Sequence, residues 1–204
     1  MSDSAAHSPP ATPVPWIAEV AAAIAHDLAN SLTAFTIATH AWRDRPDSRP
    51  LPSELDELGS TAAGAAVLVR LLSRLSARAA TPAVRLDLRD VVSDAAPLLK
   101  RLAHGRLRLA LPAAPILLFA ARSDLERALV ELVIAARDRA DAVRLAVECP
   151  ASGDVRLSVE ALAEPAPALS LEALSHADAL AVACGGSLRA PRAGRIELSL
   201  PASR

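Results

Sequence analysis

The sequence predicts an α+β chain: a long antiparallel helical hairpin followed by a two-layer α/β sandwich. Three observations predict it. Seam positions recur in alternating steps of four and three at Ile17, Ala21, Ile24, Leu28, Ser31, Phe35, Ala38 and Trp42, the spacing of a helix that packs along one stripe. A second stripe, Leu58, Ala62, Ala65, Leu68, Leu72 and Leu75, follows a proline-rich break. Beyond Thr81-Pro82 short alternating segments exchange with periodic ones, the order expected of strands and helices packed in two layers.

Each element follows from local chemistry. Residues 1–14 are mostly Ser, Ala and Pro and form a disordered tail. The first helix runs from Pro15 to about Arg45, with Pro15 in the first turn, where its missing N–H costs nothing. Pro46, Pro50 and Pro52 enforce a loop. Ser53 then opens the second helix, with Glu54, Asp56 and Glu57 meeting the positive end of its dipole, and the helix ends near Ala80. Each helix is roughly 40 Å long at ~1.5 Å per residue. Strands are expected at 84–88, 106–111, 116–120, 142–148, 155–162, 187–190 and 195–200, and helices at 89–102, from Ser123 and at 171–184. Gly185-Gly186 stops the last of these, and Pro97 lies inside the first. The domains are therefore 15–80, the hairpin, and 83–201, the sandwich. Two helices alone cannot cover their apolar seams. A homodimer forming a four-helix bundle covers them, and so would folding back on the carboxy-terminal module within a monomer.

Composition narrows the function. The 204 residues carry a net charge of −1 with both signs scattered, so no broad basic field for nucleic acid is expected. Trp16, Phe35, Trp42 and Phe119 are the only aromatics, too few for base stacking. No uninterrupted apolar run reaches the ~20 residues of a membrane span, and the amino terminus lacks a signal-peptide pattern. Cys149 and Cys184 make neither a disulfide framework nor a metal set. The expectation is a cytoplasmic protein without metal or membrane. His7, His104 and His176 have no clustered ligands in the sequence.

The chemistry concentrates in His26-Asp27-Leu28-Ala29-Asn30-Ser31-Leu32-Thr33. On the heptad register His26 falls farthest from the seam, and Asn30 and Thr33 follow on the same outward stripe, with Asp27 at its edge. An exposed imidazole with an acid, an amide and a hydroxyl beside it is a reactive arrangement rather than a packing one. The string resembles the phospho-acceptor box of two-component sensor histidine kinases; only the proline often found after the asparagine is replaced, by Ser31. The stretch from Ser123 to Asp138 resembles the first nucleotide-motif helix of those kinases' ATPase-like domain, and Gly185-Gly186-Ser187-Leu188 with Gly194 to Pro201 resembles its closing strands. The resemblance spans about residues 15–201 and implies a degenerate kinase-type sandwich after the hairpin.

The same resemblance shows what is missing. The positions where the family places magnesium-holding asparagines are Glu131 and Ala135, and alanine cannot ligate a hard cation. No glycine occurs between Val155 and Cys184, so neither an Asp-x-Gly-x-Gly turn nor a glycine-rich phosphate lid is present. The segment 163–170 is too short for a lid. The ATP site is read as lost, and an active kinase with it.

A chain that keeps the acceptor and lacks ATP implies a histidine phosphotransferase of a phosphorelay. In this reading His26 is the nucleophile, Asp27 hydrogen-bonds to or repositions its imidazole, and Asn30 and Thr33 allow water-directed phosphatase action. The implied partners are response-regulator receiver domains, including one on a hybrid sensor kinase, and a second copy of the chain. No cofactor is expected on this chain, the magnesium residing on the receiver. The alternative is a non-catalytic pseudokinase scaffold or a phosphatase regulating a response regulator. Arg43, Arg45, Arg70, Arg74 and Arg78 are candidate docking cations, His40 a solvated histidine, and Glu131 and Asp138 sources of local ion pairs.

Overall fold

The computed structural model describes residues 15–44, 50–76, 81–138, 140–150 and 153–202. The expected tail, His7, Arg45, Arg78 and the expected end of the second helix lie outside these residues. Two long helices, α1 (Pro15–Arg43) and α2 (Pro52–Ser76), form the hairpin. All eight seam positions read from α1 are buried or half-buried, Ile24 completely. On α2 the stripe is Leu58, Thr61, Ala65, Leu68, Leu72 and Leu75; Thr61 replaces the expected Ala62, which is exposed. The steps of three and four are kept, and either residue is small enough for the seam. Helix α2 starts at Pro52 rather than Ser53, because Glu54 Oε2 accepts the Leu51 N–H at 2.9 Å, half of a capping box.

The α/β module comprises β1 (Val84–Asp87), α3 (Leu88–Leu102), β2 (Leu107–Ala110), β3 (Leu117–Ala120), α4 (Arg122–Arg137), β4 (Ala142–Glu148), β5 (Asp154–Leu162), α5 (Ser175–Ala183), β6 (Ser187–Arg192) and β7 (Arg195–Pro201). The five-stranded sheet has order β2-β4-β5-β7-β6, with β2 parallel to β4 and the remaining pairs antiparallel, while β1 and β3 form a separate antiparallel pair. Alternation decides the faces. Val143, Leu145 and Val147, then Val155, Leu157 and Val159, then Ile196, Leu198 and Leu200 are buried under the helices. Arg108, Arg144, Glu160 and Arg195 stand in register across the other face.

Caps fix the helices. Asp87 accepts the Arg89 N–H at 3.0 Å and the Ile116 N–H at 3.1 Å, and the Arg89 guanidinium beside it holds its carboxyl down at about 2. Helix α3 continues through exposed Pro97. It ends where His104 and Gly105 adopt φ of 51° and 78°, the Gly105 N–H returning to the Lys100 carbonyl at 2.7 Å. Helix α5 begins at Ser175, four residues later than expected, because Leu171 to Leu174 closes a turn of its own (Leu174 N–H to Leu171 O, 3.0 Å). At Gly186 a β-carbon would stand 2.0 Å from the Ser199 carbonyl oxygen, so only glycine fits between these strands.

Folding back of the hairpin on the module occurs in part. Trp16, Val20 and Ile24 of α1 and Leu68, Leu71 and Leu75 of α2 belong to the same buried cluster as the module core. Six such side chains represent a gross stabilisation on the order of 10 kcal/mol, an upper bound set by the extended-chain reference. The far end of the hairpin is uncovered: Leu32 and Ile37 are 66% and 65% exposed, and Leu51, Leu55 and Val69 are exposed too. By length and composition alone α1 and α2 are each long and apolar enough to cross a membrane, although neither holds an unbroken apolar run of ~20 residues.

Candidate functional site

Helix α1 carries His26, Asn30 and Thr33 on one outward stripe, and all three are exposed. The Thr33 hydroxyl donates to the Ala29 carbonyl of its own helix at 2.8 Å, whereas Asn30 makes no hydrogen bond among the described residues. Asp27 departs from expectation. Its Oδ1 lies 3.1 Å from Arg101 Nη1 on α3, and no hydrogen bond joins it to His26 among the described residues. The reason is helical geometry: successive residues project about 100° apart, so an outward His26 turns Asp27 towards the module. The Asp27 and Arg101 side chains are 25% and 40% exposed, and a pair this wet contributes under ~1 kcal/mol. The apolar core, not this pair, holds module to hairpin.

Beside Asp27 an open cleft of about 680 Å³ is lined by Pro97, Lys100, Arg101, His104 and Gly105. The backward turn at His104-Gly105 brings these cations to the side of α1. A second concavity of about 350 Å³, on the hairpin, is lined by Ala34, Ile37, Ala41, Trp42, Leu58 and Thr61, among others.

The position read as a lost magnesium ligand has a different task. The Glu131 carboxylate, 2% exposed, accepts the backbone N–H groups of His176 (2.9 Å) and Ala177 (3.1 Å) at the start of α5. It also accepts His176 Nδ1 (2.6 Å), Trp16 Nε1 (3.3 Å) and Ser175 Oγ (3.4 Å). Glu131 thus satisfies the orphan donors of α5 and reaches the hairpin through Trp16. The expected local ion pair is wrong for Glu131 and right for Asp138, which pairs with its neighbour Arg137 at 2.9 Å.

A second buried acid reinforces the same junction. Glu126, fully buried, takes both oxygens to Arg74 Nε of α2 (3.0 and 2.8 Å) and one to Arg122 Nε (3.0 Å). Arg74 is therefore engaged inside the fold rather than offered to a partner. Arg43, Arg70 and His40 are exposed. Arg137 bridges to Glu19 of α1, Nη1 to Oε1 at 2.5 Å.

These residues do not fit a magnesium nucleotide. A phosphate at the start of α5 would meet the Glu131 carboxylate, Ala135 offers no ligand atom, and the segment 163–174 has no glycine. Sequence reasoning missed Arg101, Trp16 and His176. Each acts through a partner 45 to 115 positions away, and no local pattern marks such a pair.

No protein-family model and no curated protein matches the sequence. Solved structures do. The histidine kinase AdeS of Acinetobacter baumannii aligns with 84% of this chain and 96% of its own at 17% identity, with a TM-score of 0.50. The histidine kinase domain of the E. coli osmosensor EnvZ aligns with 63% of this chain and 94% of its own at 14% identity, TM-score 0.50. At this identity the likeness shows the fold: a helical hairpin followed by the ATPase-like sandwich of histidine kinase cores.

Proposed function

We propose that this chain is a phosphohistidine carrier of a two-component phosphorelay, taking a phosphoryl group from one receiver aspartate and passing it to another without ATP. The observation that carries the reading is the pairing of an exposed His26 on a kinase-type hairpin with a module whose α5 start is taken by its own Glu131. Neutral imidazole attacks phosphorus in line as the P–O bond to the donor aspartate breaks, and the electron pair leaves on the carboxylate. The N–P bond is then cleaved by a second receiver's aspartate in the reverse sense. Magnesium and a lysine on the receiver neutralise the phosphoryl oxygens, so His26 needs access more than a shifted acidity. Such a relay places the chain in the cytoplasm, with receivers, one of them on a hybrid sensor kinase, as partners.

The exposed Leu32, Ile37 and Leu55 and the groove beside Trp42 support a homodimer in which the distal hairpins complete a four-helix bundle. A phosphatase reading has one specific support. The Asn30 amide is exposed and unengaged among the described residues, whereas the Thr33 hydroxyl is bonded within its helix, so Asn30 is the group that would orient water.

The test is label transfer from receivers already carrying a labelled aspartyl-phosphate, without ATP. Acid-labile label on wild type and none on His26→Ala is expected. His26→Ala should leave stability within about 0.5 kcal/mol, as an exposed site. Receivers that bind without labelling either form refute carriage and favour the scaffold; fast release of free phosphate that is lost in Asn30→Ala favours the phosphatase.

A further inference from the structure

Most arginines of the described fold have acidic partners: Arg74, Arg122, Arg127, Arg137, Arg192 and Arg195 all do. One group does not. Lys100, Arg106, Arg108 and Arg144 are exposed and make no ion pair among the described residues. They follow from the end of α3 to the β2 edge, Arg108 and Arg144 on the open face of the sheet, where Glu160 stands opposite Arg144 and pairs with Arg192. Lys100 lines the cleft with Arg101 and His104; Arg106 follows Gly105, its carbonyl accepting the Val143 N–H at 2.9 Å; Arg108 lies on edge strand β2, in register with Arg144 of β4. On a chain of net charge −1 this is a local positive excess, and it begins at the residue beside His26. Asp27 is the sole carboxylate lining the cleft, and Arg101 already neutralises it.

We propose that this rim, Lys100, Arg106, Arg108 and Arg144 with Arg101 bridging to Asp27, is the docking surface for the acidic face of a receiver domain. The inference rests on the phosphorelay reading above. An aspartyl-phosphate site gathers carboxylates around a divalent cation, so its surroundings are negative and complement this rim. Opposite fields steer encounter and fix orientation, which is what in-line attack requires. Arg101 has a second effect: an unpaired Asp27 beside the nucleophile would repel the incoming phosphoryl group. The module that resembles a nucleotide domain thus supplies the receiver-binding half of the transfer site.

The test uses the full chain carrying Lys100→Glu, Arg106→Glu and Arg108→Glu together, with Arg156→Glu/Arg189→Glu, outside the rim, as control. Phosphoramidate, a small phosphodonor, labels His26 without any receiver, and its rate should stay within twofold in both variants. Transfer to the receiver identified by the label experiment should need at least tenfold more receiver for half-saturation in the triple variant. Its saturated rate should be unchanged and its salt dependence flattened, with the control like wild type. If the triple variant fails to fold by circular dichroism, the neutralising pair Lys100→Gln/Arg108→Gln is read the same way, expecting at least threefold. Wild-type half-saturation in folded variants overturns the docking rim and leaves the carrier reading intact. A short DNA duplex that binds as tightly as the receiver and is lost in the same variant also overturns it, as a general polyanion surface. Wild-type His26 that takes label from neither phosphoramidate nor any receiver overturns the carrier reading and the rim together.

Discussion

Replacing Glu131 with alanine should be among the most damaging single changes available outside the apolar core. The carboxylate accepts two backbone N–H groups of α5, the His176 imidazole, the Trp16 indole and the Ser175 hydroxyl while 2% exposed. Alanine orphans the buried donors at once. The loss of a helix cap is worth about 1 kcal/mol, and each buried donor left unpaired costs about 1–3 kcal/mol. His176 and Ser175 lie near the surface and recover water, so the cap together with Trp16 Nε1 and the Ala177 N–H sets the total at roughly 3–7 kcal/mol. That is a large share of the ~5–15 kcal/mol that holds a domain. Urea unfolding followed by Trp fluorescence measures it directly, because Trp16 is itself a reporter. Glu131→Gln keeps the shape and one acceptor and should cost less than half as much. A Glu131→Ala cost under about 1 kcal/mol would refute the claim that this carboxylate joins α1, α4 and α5. Glu131→Asn, which installs the residue type that the kinase resemblance implies there, should still not bind ATP by calorimetry, since Ala135 and the glycine-free segment remain.

Three further outcomes follow from the geometry. Asp87→Ala should cost about 1 kcal/mol as a lost cap. Because the Asp87 carboxyl is lowered from 3.8 to about 2, its ionic contribution is complete above pH 3.8 and is lost as pH falls through about 2; the stability gap between wild type and Asp87→Asn should therefore close over that window in urea titrations. Gly186→Ala should destabilise by about 1–3 kcal/mol, since its β-carbon would sit 2.0 Å from the Ser199 carbonyl oxygen and β6 must move, a shift visible in calorimetric melting. If the proposed dimer forms through the distal hairpin, Ile37→Glu, at a 65% exposed position on the hairpin groove, should halve the wild-type mass in light scattering without lowering monomer stability by more than about 0.5 kcal/mol; a monomeric wild type refutes the dimer, and an unchanged dimeric mass refutes this interface.

The elements of this fold were legible because their signals are local. The α1 seam, the alternation of Val143, Leu145 and Val147, and the Gly185-Gly186 stop each follow from period or backbone freedom within a few residues. Boundaries went astray where a distant group decided them. The first N–H groups of α5 are received by a carboxylate from α4, beyond the reach of any local pattern, and Thr61 rather than Ala62 enters the seam because the partner helix sets the phase. The exposed stripe of His26, Asn30 and Thr33 was readable for the same local reason. The direction of Asp27 was half readable: its angle from His26 is fixed by the helix, but Arg101, 74 positions later, comes beside it only through the docking of α3.

The burial of Trp16, Val20, Ile24, Leu68, Leu71 and Leu75 in the module's core has a thermodynamic consequence for any partner. Ordering the hairpin against the module costs conformational entropy, and here that cost falls on folding rather than on each encounter. An incoming protein then meets a surface already in its binding geometry, so less of its contact energy is consumed in arranging the site and more is left as affinity. An enzyme that must carry a nucleotide across to its own histidine cannot have this advantage, since its two parts have to separate in every cycle. In the proposed carrier, which needs no ATP, the same architecture acts as a preorganised platform.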